Sequence, residues 1–520
     1  MRRRVGVLVL ALTALAACGG EASPPVSVLA LGAEPAREAG SGAPGPLRVL
    51  ASNPHFLTDG RGGPIWLAGA HTWNNFQDWG NADPPPALDF AQYLAFLRER
   101  GHNFTRLWTW EQAAWLPWET DPIRIAPLPY ARPGPGLALD GRPRFDLRRF
   151  DQAYFDRLRD RVRAAGEAGI YVSVMLFNGW SLTGKGRREG NPWRGHPFHR
   201  DNNISGIDGD PDHHESGTEV QSLLIPAVTA LQKAYVAKVA ETLNDCDNVV
   251  WEISNETEAS ARDWQYEMVR FLRDYEAARP RQHLIGMTVA YPDGVNDDLL
   301  AGPADWISPR STAEQPYVLL PASAPAKVIV NDTDHIWGIG GTPGFVWQSL
   351  VHGMNALFMD PYRSPVRDNE PVLDELRDAG SYRSARPLAE WEAVRANLGF
   401  ARAMARRCHL ATMVPADHLV SARSSCLADR GREYLVYVPA PTGVRLVLLG
   451  CLPWLARSRV TVDLTGPAVD YAIEWLEPTT GALHRGGRVE GGGPVTLSAP
   501  FAGEAVLHLS TPGPSRGEYS

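Results

Sequence analysis

The chain has 520 residues, enough for two to four domains of which one can be a large barrel. Hydrophobic residues make up 44% and charged residues 21%, an ordinary globular balance that excludes wholesale disorder. The formal charge of −8 argues against a nucleic-acid binder working through bulk basicity. Of 51 basic residues only four are Lys (185, 233, 238 and 327), so an isolated Arg carries little functional weight. The unusual count is 17 Trp, of which 15 lie between Trp66 and Trp391. Trp can fill a core or offer a flat apolar face to a ligand.

The amino terminus reads Met-Arg-Arg-Arg, then an apolar run from Val5 to Ala17, then Cys18. This is the charged start and short hydrophobic stretch of an export signal. Leu15-Ala16-Ala17-Cys18 resembles a bacterial lipoprotein cleavage box, which implies a signal over 1–18 and lipidation of Cys18. The body is then expected outside the cytoplasm, tethered to the cell envelope or secreted, touching a membrane only through that lipid. Residues 19–46 are rich in Gly, Ala, Pro, Ser and Glu, the composition of a flexible linker. No CxxC or Cys/His spacing suggests a zinc site. Cys408 and Cys426 are the nearest pair in sequence, but spacing does not fix a disulfide.

From 47 to 408 apolar strand-like runs alternate with amphipathic helical stretches. A hairpin is expected around the turn Gly60-Arg-Gly-Gly63, running into a first strand that ends at His71. Helices are expected over 88–100, 150–168, 226–244, 262–278 and 387–407. Further strands are expected at 103–108, 170–176, 249–254, 283–288, 305–308, 326–330 and 355–359. Eight near-continuous apolar strands, mostly separated by helices, predict an α/β fold of the (β/α)8 TIM-barrel type. From 411 to 510 short strand-like runs are split by Gly, Pro and Thr, which predicts a small all-β sandwich.

In such a barrel the chemistry belongs at the C-terminal ends of the strands. There the sequence puts His71 and Trp73, then Arg106, Trp108, Trp110 and Glu111, then Asn178 and Trp180. Asn255 and Glu256 follow the fourth strand, Tyr291 the fifth, and Asp332, Asp334, His335 and Trp337 the seventh. Asp360 follows the eighth. Glu256 and Asp332 stand after strands roughly opposite in the ring. Two carboxylates flanking a bond are what glycoside hydrolysis needs: one protonates the leaving oxygen and the other attacks or activates water. Trp73, Trp110, Trp180 and Trp337, just beyond strands, are candidate platforms for sugar faces, whereas Trp66, Trp251, Trp264 and Trp391 read as core.

Asn255-Glu256 at the fourth strand resembles the Asn-Glu acid/base signature of clan A glycoside hydrolases, and Arg106 resembles that clan's arginine. The segments HTWNNFQD (71–78), GHNFTRLWTWE (101–111) and VNDTDHIWG (330–338) resemble an apiosidase-like group of bacterial glycosidases. Members of that group often carry a small C-terminal β-domain named for collagen binding. The resemblance implies Glu256 as acid/base and the residue after the seventh strand as nucleophile. The clan usually has Glu there; this chain has Asp332, with Asp334 two residues on. The shorter side chain bears on stereochemistry, since retaining enzymes hold the carboxyls about 5–5.5 Å apart and inverting ones about 6.5–9.5 Å. The function expected is therefore hydrolysis of O-glycosidic bonds, with a carbohydrate as partner and no cofactor. The alternative is a non-catalytic carbohydrate-binding or matrix-adhesion surface lipoprotein.

The stretch 181–222 is long and polar, as an active-site loop would be. Within it Asp208, Asp210, Asp212 and Glu219 match positions 1, 3, 5 and 12 of a calcium loop. Position 6 is His213 where Gly is expected, and no flanking helix pair is apparent. The sequence alone therefore predicts no metal.

Overall fold

The computed structural model describes residues 28–30, 46–60, 63–118, 121–182, 185, 190–319, 327–362, 388–441 and 457–511. Cys18, the linker and the apolar run 444–456 lie outside them, except for the edge strand Val28–Ala30.

Eight parallel strands close into a barrel. They are β1 (Ala68–His71), β2 (Phe104–Leu107), β3 (Tyr171–Asn178), β4 (Val249–Asn255), β5 (Ile285–Thr288), β6 (Trp306–Ser308), β7 (Val328–Asp332) and β8 (Asn355–Met359), adjacent in chain order with β8 returning to β1. The helices are α1 (Phe90–Glu99), α2 (Gln152–Glu167), α3 (Pro226–Leu243), α4 (Arg262–Ala277), α5 (Asn296–Ala301), α6 (Pro343–Val351) and α7 (Leu388–Ala405). Asp89 and Asp151 cap α1 and α2 by accepting from the Gln92 and Ala153 amides. Gly101 and Gly169, both at positive φ, let the chain turn from those helices into β2 and β3.

The period-2 alternation of the strands sorts the barrel interior into layers. Phe104, Tyr171, Val250, Trp306, Val328 and Leu357 share an apolar cluster at its base. Two residues further along the same faces stand Arg106, Ser173, Glu252 and Ser308, all buried. Gly69 has no side chain because a Cβ there would meet Phe104 O at 1.7 Å. Gly286 leaves room for the Trp306 ring, which a Cβ would meet at 1.8 Å.

The C-terminal region forms β9 (Val414–Pro415), β10 (Ser425–Asp429), β11 (Glu433–Val438), β12 (Arg457–Asp463), β13 (Asp470–Glu477), β14 (Ala482–Glu490), β15 (Pro494–Ala502) and β16 (Ala505–Ser510). One antiparallel sheet runs Val28–Ala30, β14, β13, β16, β11, β10, β9, and β12 pairs with β15. Both sheets contribute to one apolar core around Tyr434, Trp475 and Leu507. The reverse face of the larger sheet joins the barrel's own core through Leu427, Leu435, Leu476 and Val506. Asn397 of α7 ties the two, accepting from Trp347 Nε1 at 2.8 Å and donating to Pro478 O at 3.0 Å.

The strand boundaries depart from the sequence reading by a few residues. Asn178, Asn255 and Asp332 lie on strands rather than after them, because pairing continues past the apolar runs: Asn178 pairs Asn255, and Asp332 pairs Leu357. The sequence reading lacked α5 and α6. Cys246, Cys408 and Cys426 are buried free thiols, so Cys408 and Cys426 are not joined. Among the described residues no helix is long and apolar enough to cross a membrane.

Candidate active site

The site is built on a buried cation. Arg106, on the inward face of β2, is wholly out of solvent. Its Nε donates to Glu252 Oε2 at 2.8 Å, and Ser173 Oγ donates to the same oxygen at 2.9 Å. Its Nη1 stands 2.9 Å from Asp332 Oδ2 and 3.8 Å from Asp334 Oδ2. A guanidinium placed there without these carboxylates would cost several kcal/mol, on the order given for an unpaired buried ion.

Asp332, at the end of β7, is wholly buried. Burial opposes its charge, but Arg106 and then His71 outweigh it and hold the carboxyl well below its usual range. His71 Nε2 lies 3.3 Å from Asp332 Oδ1. An ionised carboxylate only accepts, so Nε2 carries the proton. The imidazole stacks on Trp108 with ring centres 5.3 Å apart. Burial, countered by Asp332, lowers its pKa, so it stays neutral.

Two residues on, Asp334 turns back over Asp332, its amide donating to Asp332 Oδ1 at 3.0 Å. Its side chain is 7% exposed. Burial, then the charges of Glu256 and Asp332, push its carboxyl well up. A hydrogen-bond chain supports it. Asn255 Nδ2 donates to Asp334 Oδ2 at 3.3 Å, and His335 Nε2 lies 3.2 Å from Asn255 Oδ1. His335 Nδ1 is 2.9 Å from Ser308 Oγ. Burial drives His335 down to about 3, so the chain is neutral.

Glu256 follows β4 at φ +44°, in the left-handed region that a non-glycine residue rarely adopts. Its amide donates to Thr288 Oγ1 at 3.2 Å. Gly179 packs on the other side, where a Cβ would meet Glu256 O at 2.2 Å. The side chain receives Trp180 Nε1 at 2.5 Å. Burial is the largest influence on this carboxyl; Asp332 adds to it, and the Trp180 bond and Lys185 oppose it. The result is a group pushed up to about 7.

Three aromatic residues are partly exposed at this face. Trp180 stacks on Tyr291 with centres 5.7 Å apart and planes 24° from parallel, and Tyr291 is 36% exposed. Trp337, half-buried, meets Phe345 edge-on at 5.8 Å. Arg310 lies over the Tyr291 ring at 5.7 Å.

Several residues expected to touch substrate do other work. Trp73 and Trp110 are buried and pack with Trp79 and Trp118, and Trp110 Nε1 donates to Trp73 O at 2.9 Å. Trp108 is buried beneath His71. Their rings pack into an aromatic core rather than standing exposed beside Glu256. Glu111 accepts from the Asn178 amide at 2.9 Å and faces His196 Nε2 at 3.4 Å. Asn178 caps the following turn by accepting from the Trp180 amide at 3.1 Å. Asp360 forms a two-point pair with Arg395 of α7. The sequence reading missed Glu252, Ser308, Lys185 and Arg310. Glu252 had a signal: a carboxylate inside the apolar run VVWEIS needs a buried cation, and Arg106 sits in a run of the same kind.

No family model matches the chain, and no curated protein matches it. Solved structures do resemble it. One described as a glycoside hydrolase superposes with a TM-score of 0.54 at 13% identity, covering 90% of this chain and 98% of its own. A family 5 glycoside hydrolase from Bacteroides vulgatus gives 0.53 at 12% identity, covering 91% and 95%. At these identities what is shared is the fold.

Proposed function

We propose that the chain is a glycoside hydrolase that cleaves O-glycosidic bonds with Glu256 and Asp332. The observation that carries the reading is the opposite environment of two carboxylates on one barrel face. Glu256 is held protonated to about pH 7, and Asp332 is held ionised. Paired carboxyls driven apart in this way divide into an acid and a charged partner. Glu256 would protonate the leaving glycosidic oxygen, and Asp332 would attack the anomeric carbon or draw a proton from water on the opposite face. Asp334, whose carboxyl is pushed up, would hydrogen-bond a sugar hydroxyl. Exposure ranks the two aspartates in the opposite order, since Asp332 is wholly buried and Asp334 is not. The direction of charge favours Asp332, whose carboxyl is held down while that of Asp334 is pushed up, because an ionised carboxylate is the better nucleophile or base.

Trp180, Tyr291 and Trp337 supply the apolar faces on which a sugar ring would stack. The likeness in fold to glycoside hydrolases supports the reading, as do the segments resembling apiosidase-like enzymes. The Cys18 box supports an exported enzyme tethered by lipid. The test is a screen of the protein against plant and microbial poly- and oligosaccharides, with Glu256→Gln, Asp332→Asn and Asp334→Asn in parallel. The reading requires loss of at least about 10³-fold in kcat for the first two variants, the scale of removing a catalytic group. Full activity in either one overturns it. If only Asp334→Asn were inactive alongside Glu256→Gln, the charged partner would be Asp334.

A further inference from the structure

The long connection between β3 and α3 brings together three carboxylates that the candidate active site does not use. Asp210, Asp212 and Glu219 each offer an oxygen, and these oxygens all lie within 4.8 Å of one another. They occupy positions 3, 5 and 12 of the twelve-residue spacing that begins at Asp208.

Proximity of acids is common on surfaces, but two oxygens of these three carboxyls are not on the surface. Asp210 is 4% exposed. Its Oδ2 accepts from the Glu215 amide at 2.8 Å, while Oδ1 is buried with no hydrogen-bond partner. Glu219 Oε2 is likewise buried without a partner. Among the described residues neither Asp210 nor Glu219 forms an ion pair. Asp212 pairs with His214, at 2.8 Å from Nδ1, and among the described residues no Lys or Arg pairs with it. Buried carboxylate oxygens lacking both donor and cation are expensive, and grouping three like charges raises the expense.

The surrounding chain is closely packed. A Cβ on Gly209 or Gly217 would strike Trp193, at 2.8 and 2.2 Å. Trp193 stacks on His196, with ring centres 5.1 Å apart. His196 faces Glu111, which holds the Asn178 amide beside Trp180. The carboxylate group therefore sits at the outer end of a packed path that ends at the catalytic face.

We propose that Asp210, Asp212 and Glu219 bind one calcium ion that fastens this connection. The three grouped donors are carboxylate oxygens, the set a hard cation takes, with no thiol or imidazole among them. Three carboxylates offer up to six oxygens, matching the large, flexible shell of calcium better than the strict octahedron of magnesium. The His213 position, where such loops usually carry Gly, is met by His213 itself adopting φ +59°.

The test uses the full chain, stripped with a chelator and titrated with calcium chloride or magnesium chloride by calorimetry and by thermal unfolding. One calcium per chain is expected, with a melting temperature several degrees higher; free calcium at 100 times Kd shifts the folding equilibrium about 100-fold. Asp210→Asn and Glu219→Gln should each weaken binding at least about tenfold. Without calcium, Asp210→Asn should melt no lower than the stripped parent, because it removes a buried negative charge. If Asp210→Asn does not fold, Glu219→Gln carries the comparison. The proposal is overturned by absence of heat and of a melting shift at millimolar calcium, by a response to magnesium alone, or by parental affinity in both variants. None of these outcomes depends on glycosidase activity.

Discussion

Trp180 Nε1 donates to Glu256 Oε2 at 2.5 Å, so a partly exposed side chain of the catalytic face also acts on the charge of the acid. The bond favours the carboxylate, yet burial wins and the group rests at about 7. Activity that needs the protonated acid should therefore fall as pH rises through about 7. Trp180→Phe keeps the ring and removes the donor. The carboxyl then rises further, and the alkaline limb of kcat/KM should move to higher pH by on the order of one unit. A limb that stays in place, or moves down, would separate Trp180 from the ionisation of Glu256.

The same shift predicts a stability effect with a definite sign. The Glu256 carboxyl is raised from 4.5 to about 7 on folding. A raised carboxyl is harmless below its unfolded value and destabilises progressively as pH climbs through the folded one. Glu256→Gln should therefore be more stable than the parent at pH 8 by about 3 kcal/mol and nearly equal to it at pH 4. Asp332 acts in the other window. Its carboxyl is depressed, so its contribution is present above the unfolded value of 3.8 and is lost as pH falls below it. Urea unfolding of parent and Glu256→Gln at both pH values checks the sign. A Gln variant less stable than the parent at pH 8 would contradict it.

Gly179 offers a test that leaves every reacting group chemically intact. Its Cβ position lies 2.2 Å from Glu256 O and 2.8 Å from Thr257 Cα. Gly179→Ala must move the backbone that holds Glu256 in its left-handed conformation. Misplacement of about 1 Å costs on the order of 10²-fold in rate. We expect kcat to drop by that order while circular dichroism stays that of the parent. Unchanged kcat would mean that the contact is relieved without moving the acid.

Much of this arrangement was legible in the sequence because barrels write themselves as buried strands. Runs such as YVSVMLF and VVWEIS are apolar at most positions, and Gly101 and Gly169 mark where helices stop. Glu256, Asp332 and Arg106 were visible as charges at the ends of such runs. The roles of the tryptophans were not. Trp73 and Trp110 follow strands just as Trp180 does, but their rings pack into an aromatic core. Where a ring packs depends on contacts distant in sequence, which periodicity does not record. Asp360 was misread for the same reason, since its partner Arg395 lies on α7, beyond a connection of more than two dozen residues.

Asp360 therefore yields the contrasting prediction. Both its oxygens face Arg395, and both side chains are buried. Asp360→Asn leaves the guanidinium with Glu392, itself 44% exposed, as its remaining carboxylate. Breaking a buried pair from one side costs about 3–5 kcal/mol, and the Glu392 contact offsets part of that. Arg395→Met alone strands Asp360 in the same way. The double variant removes both charges and should recover much of the loss, so the two effects are non-additive. Thermal unfolding of the four proteins gives the cycle. The pH profile of whatever activity the folded protein shows should keep its limbs, because Asp360 holds α7 against the barrel and does not set the charge of Glu256. A displaced alkaline limb in Asp360→Asn would instead place this residue among the groups that govern the acid.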